Sequence, residues 1–297
     1  MIKKLIINFL ILILLIIIAE FIAFLILFFK YKDALYNSFM SGDSLKSYFL
    51  TRPFNPETYD YHYRSPLFSE KKRDGIIIFG CSFGEGDGLN DEQNLSGKLF
   101  KLTNYNVYNR SDGGFGTQTM LYQLETEDVL KVTPNCKYII YVFIEEHLKR
   151  NLMYRCWPFL HKVTIRYKLD KNGELKQERI PLLFIYSNIY KLYEGSLPLI
   201  YGKEYSKKLF YKIIEKSYIK SKKLYPNSKF IILNYFWSEV PFKNELEKMG
   251  IQVLTTYDLT PKHIFSREWQ ISEYDTHPNE KFWDLITPLL IEKAGIK

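Results

Sequence analysis

The sequence predicts an α/β protein, a doubly wound, flavodoxin-like three-layer sandwich with about five parallel strands, preceded by a transmembrane helix. Short runs rich in β-branched residues alternate with helical stretches along most of the 297 residues, a pattern typical of parallel strands joined by right-handed crossovers. The transmembrane helix is predicted by the almost unbroken apolar run from Leu5 to Phe29. At about 1.5 Å per residue this run is long enough to cross a hydrocarbon core of roughly 30 Å.

The apolar run favours an uncleaved membrane anchor over a cleavable signal peptide. It exceeds the usual signal-peptide core of about 7–15 residues, and no convincing cleavage site follows it. Lysines flank both ends, so the positive-inside rule favours a cytoplasmic amino terminus only weakly. A short tail ahead of a large domain is typical of a signal anchor. We therefore expect a single-pass membrane protein that contacts lipid through residues 5–29 and holds its main domain outside the cytoplasm.

One carboxylate, Glu20, interrupts the apolar run. A charged side chain at the middle of a membrane costs a few kcal/mol. Three interpretations stay open: Glu20 is protonated, it faces a partner helix, or it has no special role.

The chain divides into an anchor (1–32), a proline-punctuated stalk (33–73) and a main domain (74–297). The elements predicted in the main domain, in order, are strand Gly75–Gly80, helix Asn94–Leu102, strand Asn106–Asn109, helix Thr117–Val132, strand Lys137–Ile144, strand Lys229–Tyr235, strand Ile251–Thr255 and helix Asn279–Ala294. An insertion at about 151–205 follows the third strand. In it, Asp170 to Gly173 lies between two strand-like runs and predicts a β-hairpin. The insertion would serve equally as a lid or as a peripheral decoration.

The composition argues against nucleic acid as a partner and against a metal centre. The formal charge is +8, but many of the lysines lie between residues 207 and 223, in a stretch that looks like a solvated helix face. Attraction to an anionic membrane surface or an acidic glycan stays open. The three cysteines, Cys81, Cys136 and Cys156, form no metal-spaced cluster. We expect no metal and no cofactor.

Three separated stretches carry residues suited to chemistry. Ser82 follows the first strand in a glycine-rich turn, where the carboxyl end of a strand presents side chains to a site. Glycines at 113, 114 and 116 follow the second strand and allow backbone N–H groups to approach that site. Asp275 and His277 lie two residues apart before the last helix. A serine, a histidine and an aspartate supply a nucleophile, a general base and the group that orients the base.

These stretches resemble the motif blocks of the SGNH (GDSL-like) hydrolase superfamily. Gly80-Cys81-Ser82-Phe83 is similar to the first block, and the resemblance makes Ser82 the nucleophile. Asn109 to Gly116 is similar to the second block, which makes Gly114 an oxyanion donor beside the Ser82 amide. Asp275 and His277 match the last block in its Asp-x-His form. The resemblance covers about residues 74–297, without the insertion or the membrane span.

One block departs from the family pattern. The family places Gly-x-Asn-Asp after the third strand, and its Asn donates to the oxyanion. This chain has Glu145, Glu146 and His147 there, with Arg150 slightly further on. An ionised carboxylate cannot donate a hydrogen bond, so His147 is the favoured substitute donor and Arg150 the alternative.

The resemblance implies a membrane-anchored serine esterase that acts on O-acyl esters, on a small molecule or a cell-surface glycan, through an acyl-enzyme. Alternatives are an O-acyltransferase of the same fold and a non-catalytic glycan-binding or assembly protein with a degenerate site. A flavodoxin-like cofactor binder ranks last, because the turn after Gly80 lacks a lysine and this function leaves Asp275 and His277 unexplained.

Overall fold

A five-stranded parallel sheet forms the centre of the protein. The computed structural model describes residues 2–40, 67–70, 72, 74–126, 133, 135–152, 166–178, 187–235, 239–260, 266–272 and 275–296. The strands are β1 (Asp74–Phe79), β2 (Tyr105–Asn109), β3 (Cys136–Phe143), β4 (Arg166–Leu169), β5 (Leu175–Glu178), β6 (Lys229–Asn234) and β7 (Ile251–Thr255). The sheet order is β2-β1-β3-β6-β7, and every neighbouring pair is parallel. The predicted doubly wound fold is confirmed.

Helices cover the sheet on both faces. The helices of the described chain are α1 (Ile2–Met40), α2 (Ser82–Glu85), α3 (Leu95–Leu102), α4 (Thr117–Thr126), α5 (Glu146–Arg150), α6 (Asn188–Leu224), α7 (Lys243–Lys248), α8 (Thr256–Leu259) and α9 (Glu280–Ala294); α1 packs against α6. A 3₁₀ turn spans Arg267–Trp269. Because side chains alternate along a strand, Ile76 and Ile78 pack towards α3 and α9, while Ile77 and Phe79 pack towards α4 and α6. Burial on both faces explains why β1 is an unbroken apolar run.

Asparagine caps fix the amino termini of two helices beside the sheet edge. Asn94 accepts hydrogen bonds from the N–H groups of Ser96 and Gly97, and Asn279 accepts one from Phe282 N–H. Both asparagines were predicted to lie inside their helices; each stands one residue before the first helical residue. The strands of the central sheet and the start of α4 differ from prediction by at most one residue. The hairpin strands, predicted as 163–167 and 177–180, differ more: the first ends at Leu169 and the second begins at Leu175. For the helix predicted to end at Val132, the described part ends at Thr126.

The insertion contains the predicted hairpin and an unpredicted part of a helix. Strands β4 and β5 pair antiparallel around Asp170 to Gly173. The predicted end of the insertion at residue 205 falls inside α6, which already begins at Asn188. Pro198 and Gly202 resemble helix breakers in the sequence; in the structure Pro198 lies inside the helix, whereas Gly202, with φ of 76°, is non-helical and divides α6 into two helical segments at a kink.

The amino-terminal helix extends beyond the predicted anchor. Residues 33–40, assigned to the stalk, continue α1, and residues 41–66 lie outside the described residues. Within the described part, one helix, Leu5–Lys30, is long and apolar enough to cross a membrane, a property that a signal sequence shares. Its side chains are mostly exposed, but Ala23 and Leu27 are buried where α1 packs against α6.

Candidate active site

The turn after β1 places the Ser82 hydroxyl at the carboxyl edge of the sheet. The chain leaves β1 at Phe79, stays extended at Cys81 and enters the four-residue helix α2, which begins at Ser82. Gly86, with φ of 77°, ends this helix in a left-handed conformation that favours glycine. Ser82 is only 8% exposed. The sharp turn therefore presents a mostly buried hydroxyl beside a rigid strand end.

A buried asparagine ties this turn to its neighbours. Asn109, the last residue of β2, donates from Nδ2 to Gly84 O at 2.8 Å and to Ser96 Oγ at 2.7 Å. Its Oδ1 accepts from Ser111 N–H at 3.0 Å. A Cβ at Gly84 would lie 2.7 Å from Ser111 Oγ, so a glycine is needed for this close approach. Through three hydrogen bonds, Asn109 connects the turn after β1, helix α3 and the turn after β2.

The structure brings Ser82, His277 and Asp275 together. His277 Nε2 lies 2.7 Å from Ser82 Oγ, although 195 residues separate them in the chain. On the other side of the ring, His277 Nδ1 lies 2.5 Å from Asp275 Oδ1, which also accepts from His277 N–H at 2.9 Å. A carboxylate that holds one imidazole nitrogen directs the other towards the hydroxyl. The three side chains have the connectivity of a nucleophile, a base and an orienting acid.

The loop that carries Asp275 and His277 is a compact, hydrogen-bonded turn. Ile271 N–H donates to His277 O at 3.0 Å, and Asn279 N–H donates to Trp269 O at 3.0 Å. Asp275 N–H donates to Ser272 Oγ at 3.1 Å. Asn279 therefore both caps α9 and closes the base of the loop. These contacts fix the backbone on both sides of His277.

The environment of the pair keeps Asp275 ionised. Burial raises the pKa of this carboxyl, but the hydrogen bonds and charge of His277 outweigh burial and hold the pKa below its ordinary value. The His277 ring also packs against Phe83, with 4.7 Å between ring centroids. Phe83 in turn contacts Tyr235 at the end of β6. An ionised orienting carboxylate and an aromatic wall suit a histidine that must accept and return a proton.

Two backbone amides in the glycine-rich turns are unpaired among the described residues. The N–H groups of Ser82 and Gly114 have no hydrogen-bond partner within the described ranges. Gly114 has φ of 81°, a left-handed conformation that costs an L-residue roughly 1–2 kcal/mol. These are the amides that the sequence analysis assigned to the oxyanion.

His147, the third predicted oxyanion donor, lies in a different environment. It is fully buried, and its Nδ1 is 2.6 Å from the hydroxyl of Tyr141, which lies 2.8 Å from Thr117 Oγ1. Burial and the charge of Arg150 hold the pKa of His147 well below its ordinary value, so the ring is neutral. Its Nε2 has no partner among the described residues. No hydrogen bond joins His147 to Ser82 or to Gly114 there.

The segment after β3 instead holds the second glycine-rich turn in place. Arg150 Nη1 donates to Phe115 O at 3.0 Å, and Gln118 Nε2 donates to Arg150 O at 3.0 Å. Asn151 Oδ1 accepts from Gln118 N–H at 3.3 Å. These contacts support the turn that contains Gly114. Arg150 was the alternative donor in the sequence analysis; its described hydrogen bond is to a backbone carbonyl.

Several residues around the site were missed from the sequence. Asn109 was noted as part of a motif but given no role. Its bond to the amide two residues later is an Asx turn, a pattern that an Asn at a strand end suggests. Asn151 binds a backbone N–H group 33 residues away, and Ser272 accepts from Asp275 N–H within a loop; neither carried a local signal. Arg150 was named as a candidate oxyanion donor, but its contact with the Phe115 carbonyl was not predicted.

The described residues contain no group of three or more His, Cys, Asp or Glu side chains arranged to hold a metal ion. Cys81 and Cys136 are free and buried. Burial raises the pKa of the Cys136 thiol to about 12, against opposing hydrogen bonds, so this thiol is protonated and unreactive at neutral pH.

No family model matches the chain, and no curated protein matches it. Solved structures with a similar fold include lipolytic proteins and esterases. A member of the lipolytic protein G-D-S-L family from Veillonella parvula is 16% identical, with a TM-score of 0.42 over 73% of this chain and 96% of that chain. The psychrotrophic esterase EstA from Pseudoalteromonas sp. is 12% identical, with a TM-score of 0.43 over 75% and 97%.

An acetyl xylan esterase from the rumen bacterium Butyrivibrio proteoclasticus is 11% identical, with a TM-score of 0.44 over 76% of this chain and 66% of that chain. Similarity at this level assigns no activity to the present protein.

Proposed function

We propose that this protein is a serine esterase that hydrolyses O-acyl esters through an acyl-enzyme. The observation that carries the proposal is the continuous chain from Asp275 through His277 to Ser82, with 2.5 Å and 2.7 Å between the bonded atoms. If Ser82 were only a turn residue and His277 only a helix-capping residue, nothing would require their side chains to form a hydrogen bond. The sequence motifs favour the same three residues.

In the proposed mechanism, His277 removes the proton from Ser82 as Oγ attacks the ester carbonyl. Asp275 holds the ring in place and stabilises its protonated form. The amides of Ser82 and Gly114 stabilise the oxyanion of the tetrahedral intermediate. His277 then gives its proton to the departing alcohol, leaving an acyl group on Ser82. A water molecule attacks this ester in the same way and releases the carboxylic acid.

This mechanism lacks the third oxyanion donor, the Asn that the SGNH superfamily places after its third strand. Loss of one oxyanion donor typically costs about 2.7–4 kcal/mol of transition-state stabilisation. Since the segment after β3 binds the Gly114 turn through Arg150 and Gln118, we propose that it contributes by fixing that turn. The proposal therefore predicts a slower esterase than one with a complete donor set.

We propose further that residues 5–29 anchor the enzyme in a membrane, with the main domain outside the cytoplasm, and that the ester belongs to a cell-surface glycan. The helix Leu5–Lys30 supports the anchor by its length and apolar composition. The resemblance to membrane-anchored members of the superfamily supports the glycan. Transfer of the acyl group to a sugar hydroxyl would use the same acyl-enzyme.

Hydrolysis by the purified full-length chain tests the proposal. With p-nitrophenyl acetate and an acetylated polysaccharide as substrates, we expect acetate release by the parent and its loss in Ser82→Ala. The matched control is Ser217→Ala, a buried serine on α6 whose hydroxyl donates to Ile213 O. Equal turnover by parent and Ser82→Ala contradicts the proposal, as does saccharide binding without any acyl release by the parent.

A further inference from the structure

The carboxylate inside the apolar helix binds the first turn of α6. Glu20 Oε1 accepts from the Ser187 hydroxyl, and Glu20 Oε2 accepts from Asn188 N–H at 2.5 Å. Ser187 is the N-cap of α6 and Asn188 its first residue. A carboxylate at a helix amino terminus binds unsatisfied N–H groups and is favoured by the helix dipole. Of the three interpretations of Glu20, the structure matches the one in which it faces a partner helix.

The position of Glu20 along α1 sets the depth of this contact. Glu20 lies ten residues before Lys30, the end of the apolar segment, or about 15 Å at 1.5 Å per residue. A hydrocarbon core is roughly 30 Å thick. If residues 5–29 span the membrane, Glu20 lies near its middle, and Ser187 must lie at the same depth.

The burial pattern of α1 gives the direction in which α6 leaves this point. Described side chains between Leu5 and Ile18 are exposed, whereas Ala23 and Leu27 are buried. The packing partner therefore lies beside the part of α1 that follows Glu20, and α6 runs alongside it towards the Lys30 end. The 14 residues from Asn188 to Tyr201 extend about 21 Å, enough to return from the middle of the bilayer to its surface.

The side chains of this stretch suit such a position. Large apolar side chains are exposed on it: Ile189, Tyr193, Leu199, Ile200 and Tyr201. Its two charged side chains are drawn towards the protein: Lys191 Nζ donates to Asn188 Oδ1 at 3.2 Å, and Glu194 is 3% exposed. The helix kinks at Gly202, and exposed lysines begin at Lys203.

We propose that residues 188–201 of α6 lie in the bilayer beside α1, in the leaflet nearer the main domain. This inference rests on the membrane anchoring proposed above. Lys203, the first residue after the kink, lies 3.5 Å from Glu145, which follows β3. The carboxyl edge of the sheet also carries Ser82, so the inserted stretch holds the site close to the lipid surface. The alternative is that a second copy of the chain covers this exposed apolar surface; the experiment below separates this alternative from contact with lipid.

Depth-dependent quenching in nanodiscs tests the proposal. Single cysteines are introduced in a full-length Cys156→Ser background, labelled with the fluorophore NBD and exposed to lipids that carry a doxyl quencher on the acyl chain. The test position is Leu199→Cys. Ile219→Cys, also exposed and apolar but 20 residues further along α6, is the matched control, and Ile13→Cys reports on the anchor.

We expect the lipid quencher to reduce NBD fluorescence at positions 13 and 199 and to leave position 219 unchanged. Quenching at 13 but not at 199, or equal quenching at 199 and 219, contradicts the proposal that residues 188–201 lie in the bilayer. Either result leaves the proposal that residues 5–29 anchor the protein in a membrane unaffected. Absence of quenching at both 13 and 199 contradicts the membrane anchor as well as the bilayer position of residues 188–201. Ester hydrolysis measured on the same nanodiscs shows separately whether the proposed chemistry holds.

Discussion

At the scale of single residues, the proposed chemistry depends on the ionised Asp275. Replacing it with Asn keeps the shape of the side chain but removes the charge that stabilises the protonated ring. It also allows the amide to hold the wrong tautomer of His277. We expect Asp275→Asn to lower kcat by about 10⁴-fold, the loss typical of this substitution in a nucleophile–base–acid triad.

The control for this variant is Asp258→Asn. Asp258 accepts from Thr255 N–H in the capping box of α8, so its replacement affects stability by about 1 kcal/mol and is expected to leave kcat unchanged. Equal losses of kcat in the two variants, or a parental kcat in Asp275→Asn, would show that Asp275 does not orient the base.

The lowered pKa of Asp275 also predicts how stability depends on pH. Burial raises this pKa, but the contacts with His277 lower it more. A carboxyl whose pKa is lower in the folded than in the unfolded state stabilises the fold above its unfolded pKa of about 3.9. That contribution is lost as the pH falls through the folded pKa.

The difference in the free energy of unfolding between the parent and Asp275→Asn should therefore shrink as the pH falls below about 4. Urea unfolding followed by near-ultraviolet circular dichroism at a series of pH values measures it. A difference that stays constant, or grows towards acid pH, is incompatible with a stabilising Asp275–His277 contact.

At the scale of structural elements, β2 positions the turn that contains Ser82. Asn109 binds Gly84 O in α2 and Ser96 Oγ in α3, and its replacement leaves buried groups without partners. We expect Asn109→Ala to lose about 1–3 kcal/mol of stability. Because the turn can then shift relative to His277, kcat should fall while KM changes little.

Asn106→Ala is the matched control, since Asn106 is an equally buried asparagine three residues earlier on the same strand. Its partners are Ser69 N–H and Lys72 O, far from the site along the strand. We expect a similar loss of stability with an unchanged kcat. Parallel losses of kcat in both variants would mean that Asn109 acts only through general stability.

The strands of the sheet were predictable from sequence because their physical causes are local. Ile76 to Phe79 and Phe230 to Asn234 are short runs, and each is buried on both faces of the sheet. The first half of α6 was not predictable. Its stability comes from tertiary contacts with α1, including the cap by Glu20, and Pro198 and Gly202 hide the helical pattern in the sequence.

At the scale of the whole molecule, the sheet order determines which distant residues meet. β1 lies between β2 and β3, so the turns after these three strands converge at one edge. The motif residues Ser82, Gly114, Asp275 and His277 were found from sequence because each has a type and a position typical of a known family block. Their distances come only from the fold.

His147 shows where the sequence-based argument was weakest. A histidine at a strand end is a reasonable donor by residue type, but the direction of its ring depends on contacts with Tyr141 and Phe143 that a sequence does not reveal. In the structure these contacts place the ring in the core. The support that Arg150 gives to the Gly114 turn is likewise a long-range contact.

The most direct test of the account is covalent labelling of Ser82. A fluorophosphonate reacts with a serine only when a base activates it and an oxyanion site accepts the phosphoryl oxygen. Incubation of the folded full-length protein with the probe, followed by peptide mass spectrometry, is expected to place a single adduct on Ser82, absent from His277→Ala. An unlabelled Ser82 in folded protein, or equal labelling in the parent and His277→Ala, would contradict a nucleophile activated by His277.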